Sequence, residues 1–126
     1  MKKKSIFCTV LIIYSCNINT SNYSAGKGDV ASLLWAKDSL GCLNYRNKEI
    51  GERLIEQYSI INGSAQRLLK IFGKPNSIDS NGNHKRYIYL YGQICADGKV
   101  IKESDSCWVE FDVVDDKVIE VTFGCT

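Results

Sequence analysis

Cys107-Trp108-Val109-Glu110-Phe111-Asp112-Val113-Val114-Asp115-Asp116-Lys117-Val118-Ile119-Glu120-Val121-Thr122-Phe123-Gly124-Cys125 alternates apolar and polar side chains on both sides of an acidic turn. Period-two alternation of this kind marks strands with one buried face. Pairing Val113 with Ile119, Phe111 with Val121 and Val109 with Phe123 gathers the apolar set on one side and sets Cys107 opposite Cys125. A slip of one residue opposes Phe111 to Glu120 and turns a whole apolar set to solvent. The expected connection is a three-residue turn, Asp115-Asp116-Lys117, with Lys117 where such loops prefer Gly.

Upstream, Lys85 to Tyr91 places Tyr87, Tyr89 and Tyr91 on one side and Ile88 and Leu90 on the other, a strand apolar on both faces. Three helical segments precede it. Asp29 can cap a helix to Lys37 that turns Ala31, Leu34 and Trp35 inward; Ile50, Leu54, Ile55 and Tyr58 form a second stripe. Ser64 can cap a third helix with Ala65, Leu68, Leu69 and Phe72 on one face, ended by Gly73 and Pro75. A Ser-Asn-Gly-Asn loop follows it. The predicted fold is α+β: two to three N-terminal helices packed on one face of a three-stranded antiparallel β-meander.

The first residues set the compartment. Lys2, Lys3 and Lys4 precede a nine-residue apolar run, Ile6 to Tyr14, where a membrane-spanning helix needs about 20 residues. Ile13-Tyr14-Ser15-Cys16 resembles the lipobox of bacterial lipoproteins, with Tyr14 at a position that is usually small. That resemblance implies cleavage before Cys16 and lipid on its sulfur, so acyl chains hold the protein on a membrane. The chain divides into a lipoprotein signal peptide (1–15), lipidated Cys16 with a polar, flexible tether (16–28), and a folded domain (29–126). Asn17, rather than Asp, follows the lipidated position and points to the outer membrane, facing the periplasm. Removing Lys2, Lys3 and Lys4 from sixteen basic side chains leaves thirteen against fourteen acidic ones. A near-neutral domain without a basic stripe argues against nucleic-acid binding.

Six cysteines fall into three uses. Cys8 leaves with the signal, Cys16 is the anchor, and Cys42, Cys95, Cys107 and Cys125 remain, which allow three connectivities. The hairpin register selects Cys107–Cys125 and leaves Cys42–Cys95, two structural disulfides suited to an exported domain. No Cys-x-x-Cys pair exists and His84 is the sole histidine, so zinc spacing is absent and no metal or other cofactor is expected. Asp79, Asn81 and Asn83 alternate like a calcium loop, but Gly82 and the missing downstream Glu break the pattern. His84 with a nearby carboxylate is one acid–base arrangement, and the Asp112, Asp115, Asp116 and Glu120 carboxylates around the hairpin end could form another only within a pocket; no catalytic residue is assigned. Tyr87, Tyr89 and Tyr91 beside Trp108 are the expected partner-binding aromatics.

A lipoprotein signal, helices, the helix end Leu69-Lys70-Ile71-Phe72-Gly73-Lys74-Pro75, a Tyr87-Ile88-Tyr89 strand, Val109-Glu110-Phe111-Asp112 and Asp116-Lys117-Val118-Ile119 follow one another in an order that resembles the BamE/SmpA-type lipoprotein domain. That domain shares its arrangement of helices on an antiparallel sheet with the β-lactamase-inhibitory-protein repeat. Asp38-Ser39-Leu40-Gly41-Cys42 with Arg46 looks more specifically like small lipoproteins of Bacteroidetes-type bacteria. The likeness spans roughly Arg46 to Phe123; the 92–106 connection, which carries Cys95, is longer than is usual for it. It implies a non-catalytic, membrane-anchored periplasmic module that binds protein or supports envelope assembly. The alternative is an inhibitor or immunity-type protein that meets an enzyme or toxin through the 92–106 loop.

Overall fold

The computed structural model describes residues 29–101 and 106–126. The expected signal (1–15), Cys16 and the expected tether lie outside the described residues. Three helices, α1 (Val30–Lys37), α2 (Lys48–Gln57) and α3 (Ala65–Phe72), precede six strands. These are β1 (Ser77–Asn81), β2 (His84–Tyr91), β3 (Cys95–Ala96), β4 (Lys99–Val100), β5 (Cys107–Val114) and β6 (Lys117–Cys125). The helix starts are chemically specified. Asp29, Asn47 and Ser64 each accept a hydrogen bond from an amide of the first turn, at 3.1, 2.9 and 3.1 Å, and such caps contribute about 1 kcal/mol each. Gly73 ends α3 with φ of 74°, and a Cβ there would meet the Ala36 Cβ at 3.0 Å. Glycine therefore meets both the turn and the close packing of α1 on α3.

The sheet corrects the expected three-stranded meander. It has four antiparallel strands in the order β1-β2-β5-β6, and β3 and β4 form a separate two-stranded ribbon. β1 was invisible to periodicity because all five of its residues are exposed, so no apolar alternation marks it. It is an edge strand, joined to β2 through Gly82-Asn83, with Gly82 at φ of 64°.

The β5–β6 register matches the apolar argument from Cys107–Cys125 to Asp112–Glu120 and then departs from it. Val113 pairs with Val118, not Ile119, across a bulge. The turn has two residues, Asp115 and Asp116, at φ of 49° and 61°. Positive φ at both positions gives the twist that a tight hairpin needs, and Asp tolerates it better than Lys117 would. The bulge absorbs the spare residue: Val118 is buried, and Ile119 is 49% exposed. Val118 also exchanges backbone hydrogen bonds with Asn62 and Gly63, which covers the start of this edge strand.

The core lies between the helices and one face of the sheet, where Trp35, Leu54, Leu68 and Phe72 meet Tyr87, Tyr89, Val109, Phe111, Val113 and Val118. Phe72 is central, with ring centroids 5.1 Å from Trp35, 4.9 Å from Phe111 and 5.7 Å from Tyr89. On α3, Ile71 rather than the expected Leu69 joins this core; Leu69 is 39% exposed.

One buried charge ties the layers together. Arg46 Nε donates to the Trp35 carbonyl (2.8 Å), and Nη1 donates to Asn76 Oδ1 (2.9 Å) and to the Leu90 (3.2 Å) and Ser39 (3.3 Å) carbonyls. Its guanidinium lies 5.6 and 5.7 Å from the Trp35 and Tyr89 ring centroids. Burial draws the Arg46 pKa below its ordinary value, while the neighbouring Asp38 carboxylate and Tyr89 act in the opposite sense. Asp38, also buried, accepts hydrogen bonds from the Leu43, Tyr45 and Arg46 amides at 3.0, 3.1 and 3.1 Å, which winds the loop after α1 around its carboxylate. Arg46→Met should cost about 3–5 kcal/mol in a denaturant titration of the oxidised protein, because it orphans these carbonyls and removes the charge beside Asp38.

Tyr89 donates its hydroxyl proton to the Gly73 carbonyl at 2.8 Å. Loss of solvent raises its pKa well above the ordinary tyrosine value, with the Arg46 charge opposing. The folded chain thus keeps Tyr89 protonated to higher pH than the unfolded chain does. That share of stability is complete below about pH 10 and is lost as pH rises further. Tyr89→Phe should flatten the fall of melting temperature with pH above that point.

Candidate functional site

The parity of the strands assigns every side chain to one of two faces. Odd-numbered positions of β2 and β5 turn to the helices, so Tyr87, Tyr89 and Tyr91 are buried. The aromatic partner surface expected at these three tyrosines is thereby corrected: they are core residues. β2 is apolar on both faces, so its own sequence could not decide which set turned inward. Pairing with β5 decides it, because Tyr87 lies opposite Phe111 and Tyr89 opposite Val109.

The even-numbered positions of β2 and β5, with Ser77, Asp79 and Asn81 of β1 and Glu120, Thr122 and Gly124 of β6, form the other face of the sheet, which none of the described helices covers. Of the expected aromatics only Trp108 lies there, half-buried with Ile88 and Leu90. Leu90 and Gly124 flank Trp108 in register on the neighbouring strands. A Cβ on Gly124 would come within 2.5 Å of the Trp108 indole, so the ring lies across the glycine and covers backbone that has no side chain of its own. Towards the other end the face becomes charged. Arg86 Nη1 approaches Glu110 Oε1 at 3.6 Å, and His84 Nε2 meets Asp112 Oδ1 at 2.8 Å, both diagonal across β2 and β5. Asp79 and Glu120 lie in register beside Arg86 and Asp112.

The His84–Asp112 contact orients an imidazole, but the residues in register with His84 are Asn81 and Val114, and neither is a nucleophile. The ion pairs are partly solvated and contribute little to stability on their own. Among the described residues no group of three or more His, Cys, Asp or Glu side chains is placed to hold a metal ion.

Both expected disulfides are present. Cys107 and Cys125 face each other with Cα atoms 4.1 Å apart, and Cys42 joins Cys95 with Cα atoms 5.6 Å apart. The described part of the 92–106 connection is the β3–β4 ribbon, turned at Asp97-Gly98 with both φ positive. Cys42–Cys95 and a hydrogen bond from the Gln93 amide to the Gly41 carbonyl (3.0 Å) hold it against the loop after α1. Ile94, Val100 and Ile101 are exposed there. Neither the β3–β4 ribbon nor the buried role of Arg46 was legible beforehand; the Asp97-Gly98 pair between Cys95 and Val100 was the available hairpin signal.

No family, curated protein or solved structure matches the chain. The open face is therefore judged on its own geometry. Gly124→Ala should displace the Trp108 ring, seen as a changed near-ultraviolet circular dichroism band, and cost about 1–3 kcal/mol of stability.

Proposed function

We propose that the chain is a membrane-anchored periplasmic lipoprotein whose domain acts as a non-catalytic protein-binding or envelope-assembly module. One observation carries this reading: the helices fill one face of the four-stranded sheet, and among the described residues no helix covers the other, which holds Ile88, Leu90 and Trp108 beside the Arg86–Glu110 and His84–Asp112 pairs. An apolar area bordered by charge has the make-up of a recognition patch. The lipobox-like run ending at Cys16 and the BamE/SmpA-like order of parts support a domain tethered where envelope proteins are assembled. The proposed location is the outer membrane, facing the periplasm.

Thr122 is exposed on the open face, in register with Glu110. A photoreactive phenylalanine analogue at Thr122 should crosslink in living cells to components of the outer-membrane assembly machinery. The same analogue at Glu56, exposed on α2, should not. Crosslinks from Thr122 to a single secreted enzyme or toxin would shift the reading to an inhibitor. Crosslinking from Thr122 no greater than from Glu56 would overturn the open face as the contact surface.

A further inference from the structure

The helix that follows the tether differs from its neighbours. Val30-Ala31-Ser32-Leu33-Leu34-Trp35-Ala36-Lys37 carries one charge in eight residues. Its inner side is occupied: Trp35 is buried, and the buried Ser32 hydroxyl donates to the Ile71 carbonyl. Its outer side is apolar as well. Val30 and Leu33, one turn apart, are 68% and 60% exposed, more than any other large apolar side chain among the described residues. The exposed sides of α2 and α3 are mostly polar, with Glu49, Glu52, Arg53 and Glu56 on one and Gln66, Arg67 and Lys70 around the less exposed Leu69 on the other. Leu40 and Leu43, in the loop after α1, are exposed as well, and Cys42–Cys95 ties that loop to the segment carrying exposed Ile94, Val100 and Ile101. A helix apolar on both sides belongs where both sides are covered.

The chain itself indicates what covers it. Residues 17–28 hold only Ile18 and Tyr23 as large apolar side chains, too few to mask this surface. Thirteen peptide units separate Cys16 from Asp29, a span of at most about 47 Å, so α1 is the folded element nearest the anchor along the chain. Its single charge is Lys37, a cation suited to anionic headgroups, and the carboxylate of Asp29 is engaged at the N-cap. We propose that the outer face of α1, with Leu40 and Leu43, lies on the surface of the bilayer that holds Cys16. The domain is then oriented on the membrane as well as tethered to it. This rests on the lipoprotein reading of Cys16.

The test uses full-length protein purified from cells and reconstituted in phosphatidylethanolamine–phosphatidylglycerol vesicles, with mass spectrometry of Cys16 alongside. Leu33→Trp and Glu56→Trp each replace an exposed residue, so neither disturbs the core. Lipids brominated in the acyl chains should quench the added emission of Leu33→Trp several-fold more than that of Glu56→Trp, and Val30→Asp in the Leu33→Trp background should abolish the difference. Equal quenching in protein acylated at Cys16 would overturn the membrane contact and leave the face to a protein partner or to another segment of the chain. Absence of acyl chains from Cys16 would overturn the lipoprotein reading itself, and the membrane contact with it.

Discussion

A buried guanidinium needs hydrogen-bond acceptors, and the layers of this structure meet where Arg46 Nε and Nη1 find four of them. Its acceptors come from the end of α1, the loop behind it, the link between α3 and β1, and the last residues of β2. Three stretches of chain, at Trp35–Ser39, at Asn76 and at Leu90, thereby converge on one planar group. Asn76 extends the arrangement: its Oδ1 also accepts from the Leu90 amide, and its Nδ2 donates to Ser39. Apolar contacts would tolerate small displacements of helices over sheet; a fork of directed hydrogen bonds tolerates far less. The apolar core supplies the larger share of stability, and Arg46 fixes the alignment in which that core closes.

That alignment gives the two sheet faces separate tasks. With α1 and α3 held over the sheet, Phe72 reaches Tyr89 and Phe111, so the odd-numbered side chains are committed to the interior. What remains on the even side is a mixture: Trp108 across Gly124, aliphatic neighbours, then paired charges. Ile88 and Leu90 are apolar on a face that none of the described helices covers, which makes that face the candidate for recognition.

Much of this was legible in the sequence, for reasons that differ by element. The β5–β6 pairing followed from one-sided apolar alternation, and both disulfides followed from that register. The first and third helices announced themselves through the caps Asp29 and Ser64 and all three through their apolar stripes; Asn47, which caps α2, emerged only from the structure. β1 was hidden because Ser77 to Asn81 buries nothing, and the bulge at Val118 because a preference for positive φ at two aspartates outweighed simple alternation. The inward turn of the tyrosines depended on cross-strand partners that no local pattern supplies. Asp38 and Arg46 stood out as residues, but their burial is a property of the assembled loop. The open face could be located only once the helices had chosen the other one.

The two disulfides also determine how the domain would carry a mechanical load. Cys42–Cys95 encloses α2, α3, β1 and β2 in one covalent loop, and Cys107–Cys125 encloses the β5–β6 hairpin in another. Tension entering at the N-terminal side would cross from Cys42 directly to Cys95, and later from Cys107 to Cys125. Most of the packed core lies inside the two loops and outside that path. A pull from the N-terminal side would therefore load α1 and its following loop before any element enclosed by Cys42–Cys95, and the covalent loop keeps α2, α3, β1 and β2 out of that path.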